Sequence, residues 1–170
     1  SVYADILGKY NDREGIVIDT RFNGGGRLHE DIEILFSGKK YFTQVVRGRE
    51  ACDMPSRRWN KPSIMVTCEA NYSNAHGTPW VYQHQGIGKV VGMPVPGTMT
   101  SVSWETLQDP TLYFGIPIVG YRLPDGSYLE NKQLEPDVKI ANSPEKIIKG
   151  EDEQLKTAVK ELLKEIDSKK

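Results

Sequence analysis

The apolar residues of this chain fall into short runs whose spacing switches repeatedly between that of a strand and that of a helix. Gly15 to Asp19 is an uninterrupted apolar run, the mark of a strand covered on both faces. Arg27 to Ser37 then places Leu28, Ile32 and Leu35 on one helical stripe, and Gly38 stands where a helix C-terminus closes. Tyr41 to Arg47 has strand composition. Residues 48–61 are polar, carry Pro and Arg and show no period, so they are expected as an excursion over the surface. Ser63 to Cys68 is a second covered strand. A helix is expected from the turn after it to about His84, and Gly86 and Gly88 lead into a third strand at Lys89 to Val91.

Strand, turn, helix and strand in that order imply parallel strands joined by right-handed crossovers. From Thr98 to Glu130 the texture changes to short β segments broken by Pro110, Pro117 and the turn Pro124-Asp125-Gly126. Val2, Ile6, Leu7 and Tyr10 predict a short helix over 1–10, and Ser143-Pro144 predicts another, with serine as cap and proline in the first turn. A last helix begins near Glu151 and is expected to pack through Leu155, Val159, Leu162, Leu163 and Ile166. The fold class is therefore α/β: parallel β-α-β units, a β excursion and a C-terminal helix, in one domain over 1–170.

Composition changes this picture little. Of the 170 residues 38% are apolar and 26% charged, and the net charge is -1, so there is no basic footprint for nucleic acid. No run reaches the length of a membrane span. Cys52 and Cys68 make neither a disulfide framework nor a CxxC metal motif, so no metal site is expected. Ser1 is not a natural start, and the chain reads as a piece of something longer.

The chemistry concentrates at two strand-to-helix turns. Asn23-Gly24-Gly25-Gly26 follows the first strand, and three glycines there leave backbone N–H groups uncovered and suited to an anion. Asn71-Tyr72-Ser73-Asn74 follows the second. If both strands share one sheet, their carboxyl ends share one edge, and the turns face each other. Ser73 with the amides of Gly25 and Asn74 would then supply a nucleophile and two oxyanion donors. Serine at a helix start is also an ordinary N-cap, and glycines between strand and helix also describe dinucleotide binding, although Arg27-Leu28-His29 stands where a third spaced glycine belongs.

Four strings in order carry a resemblance. Ile18-Asp-Thr-Arg-Phe-Asn-Gly-Gly-Gly26 resembles the strand and glycine turn of the C-terminal-processing (tail-specific) serine peptidases, in particular the tricorn-like branch. Cys68-Glu-Ala-Asn-Tyr-Ser-Asn-Ala-His76 looks like the serine turn, Val91 to Thr98 continues the likeness, and Leu129-Glu-Asn-Lys-Gln-Leu-Glu-Pro-Asp137 looks like the segment bearing the acidic residue. The resemblance spans about residues 15–140 and implies a crotonase- or ClpP-like layered domain. It implies Ser73 as nucleophile, the N–H groups of Gly25 and Asn74 as oxyanion hole, and Glu130 as the acidic member that orients the base's relay. The implied reaction is hydrolysis of peptide or unfolded protein, without cofactor. Homo-oligomers follow from the resemblance alone, and it leaves cytoplasm and cell envelope both open.

The general base departs from that pattern. The lysine of the processing branch would fall at Pro96-Gly97-Thr98-Met99, and the nearest lysine is Lys89. Tricorn relatives place a histidine upstream of the glycine turn, but residues 1–14 hold none. His29, on the first turn after the glycines, His76, three residues after Ser73, and His84, at a helix end, all have non-catalytic readings. The base is therefore expected outside this chain, with 1–170 as the nucleophile-bearing part. Two other classes fit the same residues: a crotonase-like acyl-thioester enzyme with Ser73 as a mere cap, and a catalytically dead peptide-binding module.

Overall fold

The computed structural model describes residues 2–169; Ser1, at the start of the expected first helix, and Lys170, at the end of the chain, lie outside the described residues. The chain opens with α1 (Val2–Ala4), which runs on into a π-helical turn over Asp5–Lys9. It continues as β1 (Ile16–Asp19), α2 (Leu28–Phe36), β2 (Phe42–Val46), β3 (Arg49–Met54), β4 (Ser63–Thr67) and α3 (Asn74–His84). The second half holds β5 (Val90–Gly92), β6 (Ser101–Thr106), β7 (Tyr113–Val119), β8 (Val138–Lys139), α4 (Pro144–Ile147) and α5 (Glu153–Ser168).

Four strands form one parallel sheet in the order β1-β4-β5-β8. Its centre explains the uninterrupted apolar runs. Every residue of β4 is buried, because successive side chains enter cores on opposite faces. Ile64 and Val66 pack with Val91, Ala158 and Leu162 beneath α5. Met65 packs on the other face with Val90 and Tyr82 of α3. Leu35 and Phe36 of α2 close that second face with the fully buried Trp59.

Four expectations need correcting. Residues 48–61 are not a bare surface excursion: Arg49–Met54 pairs antiparallel with β2, and Trp59 is a core residue. Hairpin pairing draws on backbone bonds and needs no apolar period, which is why the polar sequence hid it. In α5 the buried face is Gln154, Ala158 and Leu162, with Ile166 against it, while Leu155, Val159 and Leu163 are exposed. The apolar residues form a band wider than the sheet can cover, and the small Ala158 is what allows the helix to lie close. Leu28 is likewise exposed, and Ser143 makes no side-chain cap although Pro144 does open α4. Among the described residues no helix is long and apolar enough to cross a membrane.

Candidate active site

Since β1 and β4 are parallel neighbours, the turns that follow them leave the sheet side by side. Their polar side chains lace them together. Thr20 ends β1 with its N–H donating to Val66 O at 3.0 Å and its hydroxyl to the same oxygen at 2.9 Å. Asn71 is buried at 1% exposure; its Oδ1 accepts from Cys68 N–H at 3.2 Å, and its Nδ2 donates to Thr20 Oγ1 at 3.1 Å and Ala75 O at 3.3 Å. The backbone joins them directly, Tyr72 N–H donating to Asn23 O at 3.0 Å. Neither Asn71 nor this contact was legible beforehand, because both depend on which strands are neighbours.

Ser73 sits at the N-terminal boundary of α3, with φ 56° and ψ -126°, and its hydroxyl makes no cap hydrogen bond. A capping serine has extended backbone and bonds an amide of the first turn. Ser73 does neither, and positive φ is rare for a residue with a Cβ. The strand-turn-helix bend instead leaves the hydroxyl unbonded to its own helix's amides, at the positive end of the helix field. Opposite stands Gly25 at φ +117°. A Cβ placed on it would lie 2.8 Å from Ser73 Cβ and 3.2 Å from Ser73 Oγ. The glycine bend and the serine thus share one spot, with no room for a side chain between them.

The amides around that spot differ. Asn74 N–H, the first of α3, has no acceptor among the described residues. The Asn74 side chain is occupied elsewhere: Oδ1 accepts from Leu28 N–H at 2.9 Å and Thr78 Oγ1 at 3.2 Å, and Nδ2 lies 2.7 Å from His29 Nδ1. This network ties α2 to α3. Gly25 N–H donates to Asn23 Oδ1 at 2.8 Å. Asparagine two residues before a glycine is a readable turn signal, but a local pattern does not tell that this turn stands beside Ser73.

Glu130, between β7 and β8, bonds the loop that follows β5. Its Oε2 accepts from Met99 N–H at 2.8 Å and Thr100 N–H at 2.6 Å. Burial pushes its carboxyl up, but the Thr100 and Met99 amides outweigh this and hold it below the usual carboxylate range. Asp137, at the end of that segment, accepts from Val90 N–H at 2.7 Å.

No histidine bonds Ser73. His76 is completely buried, and both ring nitrogens lack hydrogen-bond partners. Burial lowers its pKa against the opposing pull of the Lys132 backbone, which stops short of a regular hydrogen bond, and of Glu130. His29 faces Asn74, and His84 stacks on Trp80 with ring centroids 4.4 Å apart. Lys89 precedes β5, at the amino edge of the sheet, and pairs with Glu161. Two cavities flank the joined turns. One of about 400 Å³ lies against α2 and is lined by Ile18, Asn23, Leu28 and Ala75. The other, of about 760 Å³, is lined by Arg21, Phe22, Cys68, Met93 and Asp152. Arg21 there joins Asp19 at 2.7 Å to Asp152 at 2.8 Å, pinning the start of α5 to the turn after β1.

Known proteins carry the same arrangement of segments. The chain is 25% identical over 154 residues to the tricorn protease of Thermoplasma acidophilum, an alignment that covers 90% of this chain and 14% of that protein. It is 28% identical over 152 residues to tricorn protease homolog 1 of Streptomyces coelicolor, covering 86% and 14% respectively. The crystal structure of the tricorn protease superposes with a TM-score of 0.78 at 25% identity, covering 91% of this chain and 15% of that one. The chain thus spans about one-seventh of the length of these relatives. The family model for peptidase family S41 matches residues 2–140, and with that match the chain belongs to peptidase family S41.

Proposed function

We propose that this chain is the nucleophile-bearing part of a tricorn-like serine peptidase, which cleaves peptides or unfolded protein through an acyl-enzyme on Ser73. The observation that carries the reading is the elbow at Ser73, uncapped at positive φ and in van der Waals contact with the glycine bend. In the proposed reaction Ser73 Oγ loses its proton to a general base and attacks the scissile carbonyl carbon. The amides of Asn74 and Gly25 take the charge on the tetrahedral oxygen. Collapse expels the amine with a proton from the base, and water releases the acyl group in a second, equivalent cycle.

Glu130 is proposed to orient the relay that serves the base. The base itself is proposed to come from residues outside this chain, because His29, His84 and Lys89 have other partners, and His76, though unpartnered, is buried and makes no bond to Ser73. The sheet between α2 and α3 on one face and α5 on the other is read as crotonase- or ClpP-type layering. The test is a fluorophosphonate probe. The full-length protein is expected to be labelled at Ser73, and Ser73→Ala to abolish labelling. Residues 1–170 alone are expected to label slowly, since losing a triad member leaves only residual catalysis. Labelling that survives Ser73→Ala refutes the proposal.

A further inference from the structure

We infer that Asn23 is a positioning residue that masks the oxyanion amide at rest: its side-chain oxygen stands at the acceptor position that the substrate's acyl oxygen must take. The inference rests on the peptidase reading of Ser73. Three observations support it. The N–H of Gly25, a residue whose added Cβ would clash with Ser73, is not free but donates to Asn23 Oδ1 at 2.8 Å. Asn74 N–H, the other proposed donor, has no acceptor among the described residues, so only one half of the pair is covered. The Asn23 side chain is also not what holds the turns together. Its main-chain carbonyl accepts from Tyr72 N–H at 3.0 Å and its main-chain N–H donates to Thr20 O at 3.3 Å, both independent of the side chain.

The energetics fit an exchange. A neutral amide-to-carbonyl bond contributes only about 1 kcal/mol net, so an arriving carbonyl oxygen can replace Oδ1 at little cost. Bonds to a charged acceptor are about twice as strong, so the oxyanion of the tetrahedral state wins the amide decisively over a neutral carboxamide. Asn23 therefore discriminates between ground and transition states: substrate competes with it about evenly, the transition state displaces it. A carboxylate at the same position would reverse that advantage, gripping the amide more tightly and setting a negative charge where the oxyanion forms.

The experiment measures the rate constant for fluorophosphonate labelling of Ser73 in the full-length protein, its Asn23→Ala and Asn23→Asp variants, and a Ser73→Ala control. Masking predicts that Asn23→Ala labels as fast as the parent or up to about fivefold faster, the equivalent of one net hydrogen bond. It predicts that Asn23→Asp labels at least about tenfold slower at pH 7, with the deficit relative to Asn23→Ala shrinking as pH falls through the introduced carboxylate's range. A side chain that merely braces the loop predicts the opposite order, Asn23→Asp close to the parent and Asn23→Ala slow, and that order overturns the inference, as do equal rates in all three. Amide exchange at Gly25 gives a second readout, expected to be faster in Asn23→Ala; unchanged protection also overturns it. Labelling dependent on Ser73 but indifferent to Asn23 refutes the mask alone, whereas labelling that persists in Ser73→Ala refutes the peptidase reading and the mask with it.

Discussion

Gly25→Ala tests the joined turns most directly. Alanine there must adopt φ +117° and place its Cβ 2.8 Å from Ser73 Cβ. The backbone conformation alone costs about 2 kcal/mol in a residue with a side chain. Carbon atoms prefer separations of about 3.5 to 4.0 Å, so the bend and the elbow must part by about 1 Å. In a domain of this size the first effect lowers Tm by about 4 to 8 °C. The second moves the proposed oxyanion donor relative to the proposed nucleophile, and a misplacement of about 1 Å costs on the order of a hundredfold in rate. The assay pairs thermal unfolding with the rate of fluorophosphonate labelling in the full-length protein. Gly24→Ala is the internal control: no atom lies within 4 Å of its added Cβ and its φ is not positive, so it should change stability by less than about 0.5 kcal/mol and leave labelling unchanged. Full labelling in Gly25→Ala, or an equal loss in Gly24→Ala, would refute the claim that the two turns are in functional contact.

Other perturbations probe the surroundings. Glu130→Gln keeps an acceptor for the Met99 and Thr100 amides but removes the charge. As the Glu130 pKa is depressed on folding, the parent's stability advantage over this variant should be full above the unfolded carboxylate value and vanish as pH falls through the folded one, read by Tm from pH 7 to pH 3. Asp152, hydrogen-bonded to Arg21 and capping α5 through Leu155 N–H at 2.9 Å, is held down at about 2. Asp152→Ala should therefore cost about 2 kcal/mol near neutral pH by lost cap and ion pair, and that cost should fade as pH drops from about 4 through 2, measured by denaturant unfolding. His76 is buried with its pKa lowered, so the parent should lose stability as pH falls below its unfolded value of about 6.5. His76→Phe should remove that loss while leaving Ser73 labelling intact; abolished labelling would make His76 the general base.

The sequence alone determined the periodic parts of this protein. The strands β1, β4 and β5 announce themselves by short central apolar runs, because packing on both faces favours apolar side chains at successive positions. The two turns were legible for the same local reason: three glycines and a serine lie where strand changes to helix. Tertiary structure decided what local pattern cannot carry. The hairpin at Arg49–Met54 depends on backbone pairing, and the exposed Leu155, Val159 and Leu163 depend on how much of α5 the sheet can reach. Whether Ser73 caps its helix or points out of it is a matter of two backbone angles set by the neighbouring bend. The grip of Asn23 on the Gly25 amide acquires meaning only because β4, which leads into the turn bearing Ser73, lies beside β1 in the sheet. Proximity across strands is a long-range property, and a one-dimensional pattern records the residues without recording which of them meet.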